Sequence, residues 1–186
     1  MKKLLSLILM GLGIVNNSQA QTKENPMENK KILVAYFSAT GTTAKVAERL
    51  SSALGADLFE IKPAQLYTEE DLNWRNKQSR SSVEMADRSS RPEIASKVED
   101  MTQYDIVFVG FPIWWYREPS IIDTFMSSYD FAGKIVVPFA TSGMSGIGDS
   151  GKNMQALAPN AKVLDGKRFS SGVSEEKLKS WAESLF

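Results

Sequence analysis

KILVAYFSATGTTAKVAERL, residues 31–50, joins two different periodicities through six small residues. Lys31 to Phe37 is a continuous apolar run, as expected of a strand covered on both faces. Val46, Ala47, Leu50 and Leu54 then fall on one helical stripe. Between them lies SATGTT, residues 38–43, in which four of six residues carry a hydroxyl and none is charged. A buried strand that passes through a short loop into a helix is the opening of an α/β unit. The free N–H groups and dipole of a helix start make an anion site. Ser38, Thr40, Thr42 and Thr43 add hydroxyl donors, and Gly41 permits a tight turn, so the loop can hold a phosphate without Lys or Arg. An ordinary N-cap would explain one or two solvated hydroxyls; four in six favour phosphate.

The alternation continues along the chain. Ala56 to Ile61, Asp105 to Phe111 and Lys134 to Ala140 read as further strands, and Ala161 to Phe169 as a fifth. Glu118 to Ser128 places Ile121, Ile122, Phe125 and Met126 at helical spacing, and Gly151 to Leu157 is a short helix. Ser174 caps a last helix, with Glu175 and Glu176 in its first turn and Leu178, Trp181, Ala182 and Leu185 facing inward. Lys62 to Tyr104 is too long for a bare loop. Thr68 before Glu69, Glu70 and Asp71 predicts one helix start there, and Ile94, Val98 and Met101 a second short stripe. The polar QSRSSVEMADRSSR between them reads as mobile surface, with a lid as the alternative. Such alternation implies a doubly wound parallel sheet with right-handed crossovers, ligands binding where the strand order reverses.

Composition bounds the chemistry. The chain has 186 residues, 42% apolar and 24% charged, which suits one domain with a real core. Lys plus Arg and Asp plus Glu are both 22, so no basic excess points to nucleic acid. The absence of Cys and His excludes thiolate nucleophiles, disulfides, Cys/His zinc sites and imidazole bases. Residues 1–20 read as a signal peptide: Lys2 and Lys3, an apolar run from Leu4 to Val15 too short to span a membrane, and Ser18-Gln19-Ala20 for cleavage. The expectation is an exported, periplasmic or extracytoplasmic protein, with residues 21–30 a polar linker and 31–186 the domain. Translation from Met27 would instead give a cytoplasmic protein. Removal of residues 1–20 leaves a net charge of about −2.

Two more loops lie at carboxyl ends of predicted strands. GFPIWWYREP, Gly110 to Pro119, has three adjacent aromatics, poor loop material unless they stack on something flat. TSGMSGIGDS, Thr141 to Ser150, is small and flexible, suited to backbone contact with a polar ring edge. GIGDSGKN, Gly146 to Asn153, shares Gly146, Gly151 and Lys152 with the GxxxxGK[ST] nucleotide loop. Asn153 stands where a magnesium-binding hydroxyl belongs, however, and no strand leads directly into it. A phosphate cradle, an aromatic wall and a Gly-rich third side describe a site for a flat, phosphorylated cofactor.

With these motifs in place, the chain resembles the flavodoxin-like FMN-binding family over the whole domain. SATGTT is similar to that family's [ST]-x-T-G-x-T phosphate loop, and GFPIW to the loop carrying a flavin-stacking Trp. The resemblance implies a three-layer α/β sandwich with a five-stranded parallel sheet in the order 2-1-3-4-5. It implies FMN as cofactor, with Ser38, Thr40, Gly41, Thr42 and Thr43 on the phosphate. Pro112, Trp114 and Trp115 would form the wall, Trp114 facing the isoalloxazine. Thr141, Ser142, Gly143, Ser145, Gly146 and Gly148 would meet the ring's polar edge.

Three departures bear on the kind of flavoprotein. Many flavodoxins place Gly or another small turn residue after the stacking Trp, where a peptide flip meets the reduced flavin; here the bulky Trp115 is expected to resist the positive φ such turns need. The third loop has no aromatic, with Met144 near the place of a second stacking ring, which leaves the outer flavin face open to a substrate. The near-neutral charge makes docking of a basic protein by a broad field weak. Three readings follow: a one-electron carrier with a redox partner protein, an FMN-dependent reductase passing electrons from NAD(P)H to a quinone, flavin or similar flat acceptor, and a cofactor-free binding module. Tyr116, Arg117 and Glu118 are candidate substrate-side groups, with plain loop and helix-start roles as the alternative.

Overall fold

The computed structural model describes residues 27–186; the signal peptide read at 1–20 and most of the predicted linker lie outside the described residues. The elements are β1 (Ile32–Tyr36), α1 (Thr42–Leu54), β2 (Asp57–Glu60), α2 (Arg80–Ala86), β3 (Ile106–Pro112), α3 (Ser120–Ser127), β4 (Ile135–Thr141), α4 (Ser150–Leu157), β5 (Lys162–Val163), β6 (Lys167–Phe169) and α5 (Glu175–Glu183). All strand pairs are parallel and the order is β2-β1-β3-β4-β5, as the resemblance implied. Met27, at the end of the predicted linker, is buried against the domain. Among the described residues no helix is long and apolar enough to cross a membrane.

The period-2 geometry of the strands explains their unbroken apolar runs. On one face Val34, Phe108, Val137 and Phe139 pack under Val46, Ala47 and Leu50 of α1 and Leu178, Trp181 and Ala182 of α5. On the other, Leu33, Val107, Val109 and Val136 pack under Ile121, Ile122 and Phe125 of α3 and Met154 of α4. The last helix forms as expected: the Ser174 hydroxyl accepts from the Lys177 N–H, and both first-turn glutamates oppose the dipole.

The fifth strand is split. β5 pairs with the start of β4 and β6 with its end, and the step from Val163 to Lys167 answers a step of one residue fewer on β4, from Val136 to Phe139. The extra residue is a bulge beside Pro138, which has no N–H to give a ladder. Gly166 lies so close that a Cβ there would stand 2.7 Å from the Pro138 carbonyl.

The segment between β2 and β3 departs from expectation. Thr68 and Asp71 bond reciprocally, each side chain accepting from the other's N–H, yet only turns follow because no apolar stripe comes after them. The helix lies instead inside the stretch read as mobile surface: Ser79 caps α2, and Arg80 pairs with Glu84 at 2.6 Å. Ile94 is not helical but bridges Pro63, and Met101 opens a single 3-10 turn.

Candidate functional site

The loops after β1, β3 and β4 meet where the strand order reverses, between β1 and β3. The first is anchored at its root, the Phe37 N–H donating to the Gly110 carbonyl of β3 at 2.9 Å. Gly41 then turns at φ 80° into α1, a conformation that costs a β-carbon-bearing residue free energy. No side chain caps α1, so its first-turn amides have no side-chain oxygen against them. The Ser38 hydroxyl is buried and has no hydrogen-bond partner among the described residues. Thr40 and Thr42 line a cleft, whereas the buried Thr43 hydroxyl lies 2.8 Å from that of Thr141 and ties the first loop to the third. An uncapped helix start beside an orphaned hydroxyl fits a phosphate.

After β3 the chain makes a two-residue hairpin. Trp114 and Arg117 exchange both backbone bonds at 3.0 Å, and the turn residues Trp115 and Tyr116 sit at φ 43° and 65°. This corrects the expectation that the bulk of Trp115 resists the positive φ of such a turn. Left-handed conformations at bulky residues cost about 1–3 kcal/mol each and persist only where the surroundings over-determine them. Here the paired bonds and the anchored Arg117 do so. Trp114 is held edge-on by Phe37 at 5.5 Å and Tyr67 at 5.3 Å, so its ring is a fixed wall. Burial, then the hydrogen bond to Glu84, pushes the Tyr67 phenol well above its ordinary range, keeping it a neutral donor.

Thr40, Thr42, Pro112, Trp114, Thr141, Ser142, Gly143 and Ser145 converge on one cleft of about 560 Å³, a volume within the range of cofactor sites. The Ser142 hydroxyl donates to the Ser145 carbonyl and closes the third loop on itself. Met144, in that loop, is 90% exposed. Of the other residues read as cofactor-binding, Trp115 lines a neighbouring groove. Gly148, at φ 60°, is needed where a Cβ would stand 2.4 Å from the Tyr116 carbonyl. Gly146 does not line the cleft.

A family model described as Flavodoxin matches residues 31–185. The chain belongs to the flavodoxin family. This is the FMN-binding family that its motifs resemble. No curated protein matches the chain. Among solved structures, this flavodoxin is 50% identical to a presumed flavoprotein from Bacteroides eggerthii DSM 20697, with 84% of this chain and 98% of that one covered and a TM-score of 0.80. A second, from Bacteroides uniformis ATCC 8492, is 49% identical, over 83% of this chain and 98% of that one, at TM-score 0.78. A flavoprotein from Lactobacillus acidophilus NCFM, solved in complex with FMN, shares the fold at 22% identity, over 82% and 99% of the two chains, at TM-score 0.64.

The flavodoxin cleft also takes in Arg168, Ser170 and Ser171, none of them anticipated. Arg168 is exposed on β6, the edge strand, with Phe169 turned into the core. A basic pair running into one core aromatic at a strand's carboxyl end was the available signal. Arg49 of α1 braces this side by donating to the Ser171 carbonyl at 2.6 Å.

Of the candidate substrate-side groups, Glu118 is buried behind the hairpin and Arg117 is largely covered there. Arg117 donates to Asp123 at 3.2 Å and to Ser120 at 3.2 Å, and lies 3.5 Å from Glu118. Glu118 has no exposure and accepts from Asn153 at 3.0 Å, so the residue in the place of a magnesium-binding hydroxyl serves the core. Burial, with Glu118 adding to it, pushes the Asp123 carboxyl up to about 6. A carboxyl raised in the folded state stabilises fully below its unfolded value, and that contribution disappears as pH rises through the folded value. Asp57 and Asp105, held below the ordinary range chiefly by hydrogen bonds from Lys31, act oppositely at lower pH. Asp123→Asn, neutral throughout, is therefore expected to remove a loss of about 1 kcal/mol between about pH 5 and pH 8. Urea unfolding of both proteins at the two pH values measures it.

Proposed function

We propose that this flavodoxin holds FMN in the 560 Å³ cleft and works as an oxidoreductase, passing electrons from NAD(P)H to a small flat acceptor such as a quinone or a free flavin. Bound FMN supplies the redox chemistry; the chain supplies binding, orientation and electrostatics. Thr40, Thr42 and the first-turn amides of α1 would take the phosphate, with Arg168 at the rim. Trp114 would wall the ring, and Thr141 to Ser145 would meet its polar edge. The observation that carries this reading is the uncapped start of α1 beside the orphaned Ser38 hydroxyl, opening on a fixed aromatic wall. A one-electron carrier serving a redox partner protein is the second reading, favoured by the positive-φ turn directly after Trp114. The export signal read at residues 1–20 belongs to the proposal, with FMN acquired outside the cytoplasm; a native protein starting at Met27 in the cytosol would remove that part.

Titration with FMN, followed by quenching of flavin fluorescence, tests the cofactor. Tight stoichiometric quenching with riboflavin clearly weaker is the expected result, and equal affinities would remove the phosphate cradle. Thr40→Ala is expected to weaken FMN by about tenfold to a hundredfold through one lost charge-assisted hydrogen bond. NAD(P)H oxidation by the loaded protein with and without a quinone then separates reductase from carrier.

A further inference from the structure

Beside the cofactor cleft lies a second groove of about 430 Å³, formed between the segment linking β2 to β3 and the Trp115–Tyr116 hairpin. Ile113, Trp114 and Ser145 line both spaces, so a molecule in the groove and one in the cleft share a wall. Among the described residues no charged side chain lines the groove, whereas Arg168 lines the cleft. An anionic ligand would lose its hydration there without a compensating charge. Trp74, Trp115 and Tyr116 present wide aromatic faces at 68%, 43% and 78% exposure. Two of the three are held there at positive φ, against their backbone preference. Ser81 completes the lining, and its hydroxyl is buried without a hydrogen-bond partner among the described residues. An orphaned buried hydroxyl costs about 1–3 kcal/mol, which a ligand oxygen can recover.

We propose that this groove is the acceptor subsite, binding a flat, uncharged aromatic carbonyl compound of the quinone class, with the aromatic faces of Trp74 and the hairpin against its ring and the Ser81 hydroxyl donating to its carbonyl. The proposal rests on the FMN reading for its place beside the flavin. The size of the groove and its lack of both a charged side chain and an uncapped helix start favour a quinone over a nicotinamide dinucleotide, whose phosphates need one or the other. The expected order is FMN in the cleft first, then the quinone alongside it.

The test is a titration of the FMN-loaded protein with menadione, read as quenching of tryptophan fluorescence, with the apoprotein in parallel. Saturable quenching without release of FMN is expected. Trp74→Ala, at a largely exposed position that folding does not need, is expected to weaken menadione by about tenfold. Ser81→Ala should weaken it by about fivefold. Neither should change FMN affinity by more than about twofold, since Trp74 and Ser81 do not line the cleft. A sulfonated naphthoquinone should bind about tenfold more weakly than menadione. Absence of saturable quenching in the loaded protein would overturn the subsite, as would unchanged affinity in both variants. Recovery of free flavin fluorescence on adding menadione would also overturn it, by placing the flavin ring in the groove. Failure of FMN to bind at all would sink the cofactor reading, a result distinct from these, and quenching of the apoprotein and its variants would still decide whether the groove takes a quinone.

Discussion

Arg117→Met is expected to lower the unfolding free energy by about 3–5 kcal/mol at neutral pH, the loss seen when one partner of a buried ion pair is removed. The Arg117 side chain is 11% exposed and stands against two carboxylates, Asp123 at 3% and Glu118 at none. Without it, Glu118 keeps Asn153 and the exposed Arg88 at 3.6 Å, but Asp123 loses its one ion pair among the described residues and keeps only the weaker field of Arg88. Because Arg117 lowers the Asp123 pKa, the carboxyl of the variant takes up its proton at a higher pH than the parent's, and the loss should shrink as pH falls toward about 6. Arg117→Lys should recover little, because one ammonium cannot repeat a fork that reaches Asp123, Ser120 and the Glu118 carbonyl together. Denaturant unfolding at two pH values checks both statements. A pH-independent loss would mean that packing of the side chain, not its charge, holds the hairpin. The same pair of measurements bears on the site, since Arg117 closes the hairpin that begins with Trp114.

What could be read in advance divides along physical lines. β1, β3 and β4 announced themselves because strands buried on both faces must be apolar at every position. α1 and α5 did so because one stripe faces the sheet. The turn from β1 into α1 was legible for a related reason, since a buried strand must pass through a tight turn to reach its helix and Gly41 supplies it. α2 was not legible, because its stability is polar. Met85 is its one buried apolar residue, and the helix is held by the Ser79 cap and the contacts of Glu84 with Arg80 and Tyr67. Hydrophobic periodicity cannot see such a helix. Trp115 was misread for the opposite reason, since local preference was overruled by the pairing of its neighbours Trp114 and Arg117. Arg168 was read only as part of a strand, although the split of that strand at Pro138 brings β6 level with the end of β4 and the cleft.

Gly110→Ala is expected to cost about 3 kcal/mol, the upper end for overpacking a well-filled core. A Cβ at Gly110 would stand 2.2 Å from Cζ of Phe139, and 2.6 and 2.8 Å from its Cε atoms. Phe139 sits opposite Gly110 in the β3–β4 register, fully buried under α1 and α5, and its ring has no free space to enter. The ring in effect occupies the side-chain volume that Gly110 leaves. Shortening that ring should relieve the clash, so Gly110→Ala with Phe139→Leu is expected to be more stable than Gly110→Ala alone, with a favourable coupling of about 2 kcal/mol. Strictly additive losses would show that the ring moves aside freely and that the close approach is incidental. The function should follow the same cycle. The Gly110 carbonyl anchors Phe37 at the root of the loop proposed to hold the phosphate, and β3 runs on through Pro112 toward Trp114. A shift of β3 at Gly110 therefore moves both sides of the cleft at once. FMN affinity should fall in the single variant and recover in the double, which ties the depth of the cleft to one missing side chain in the sheet beneath it.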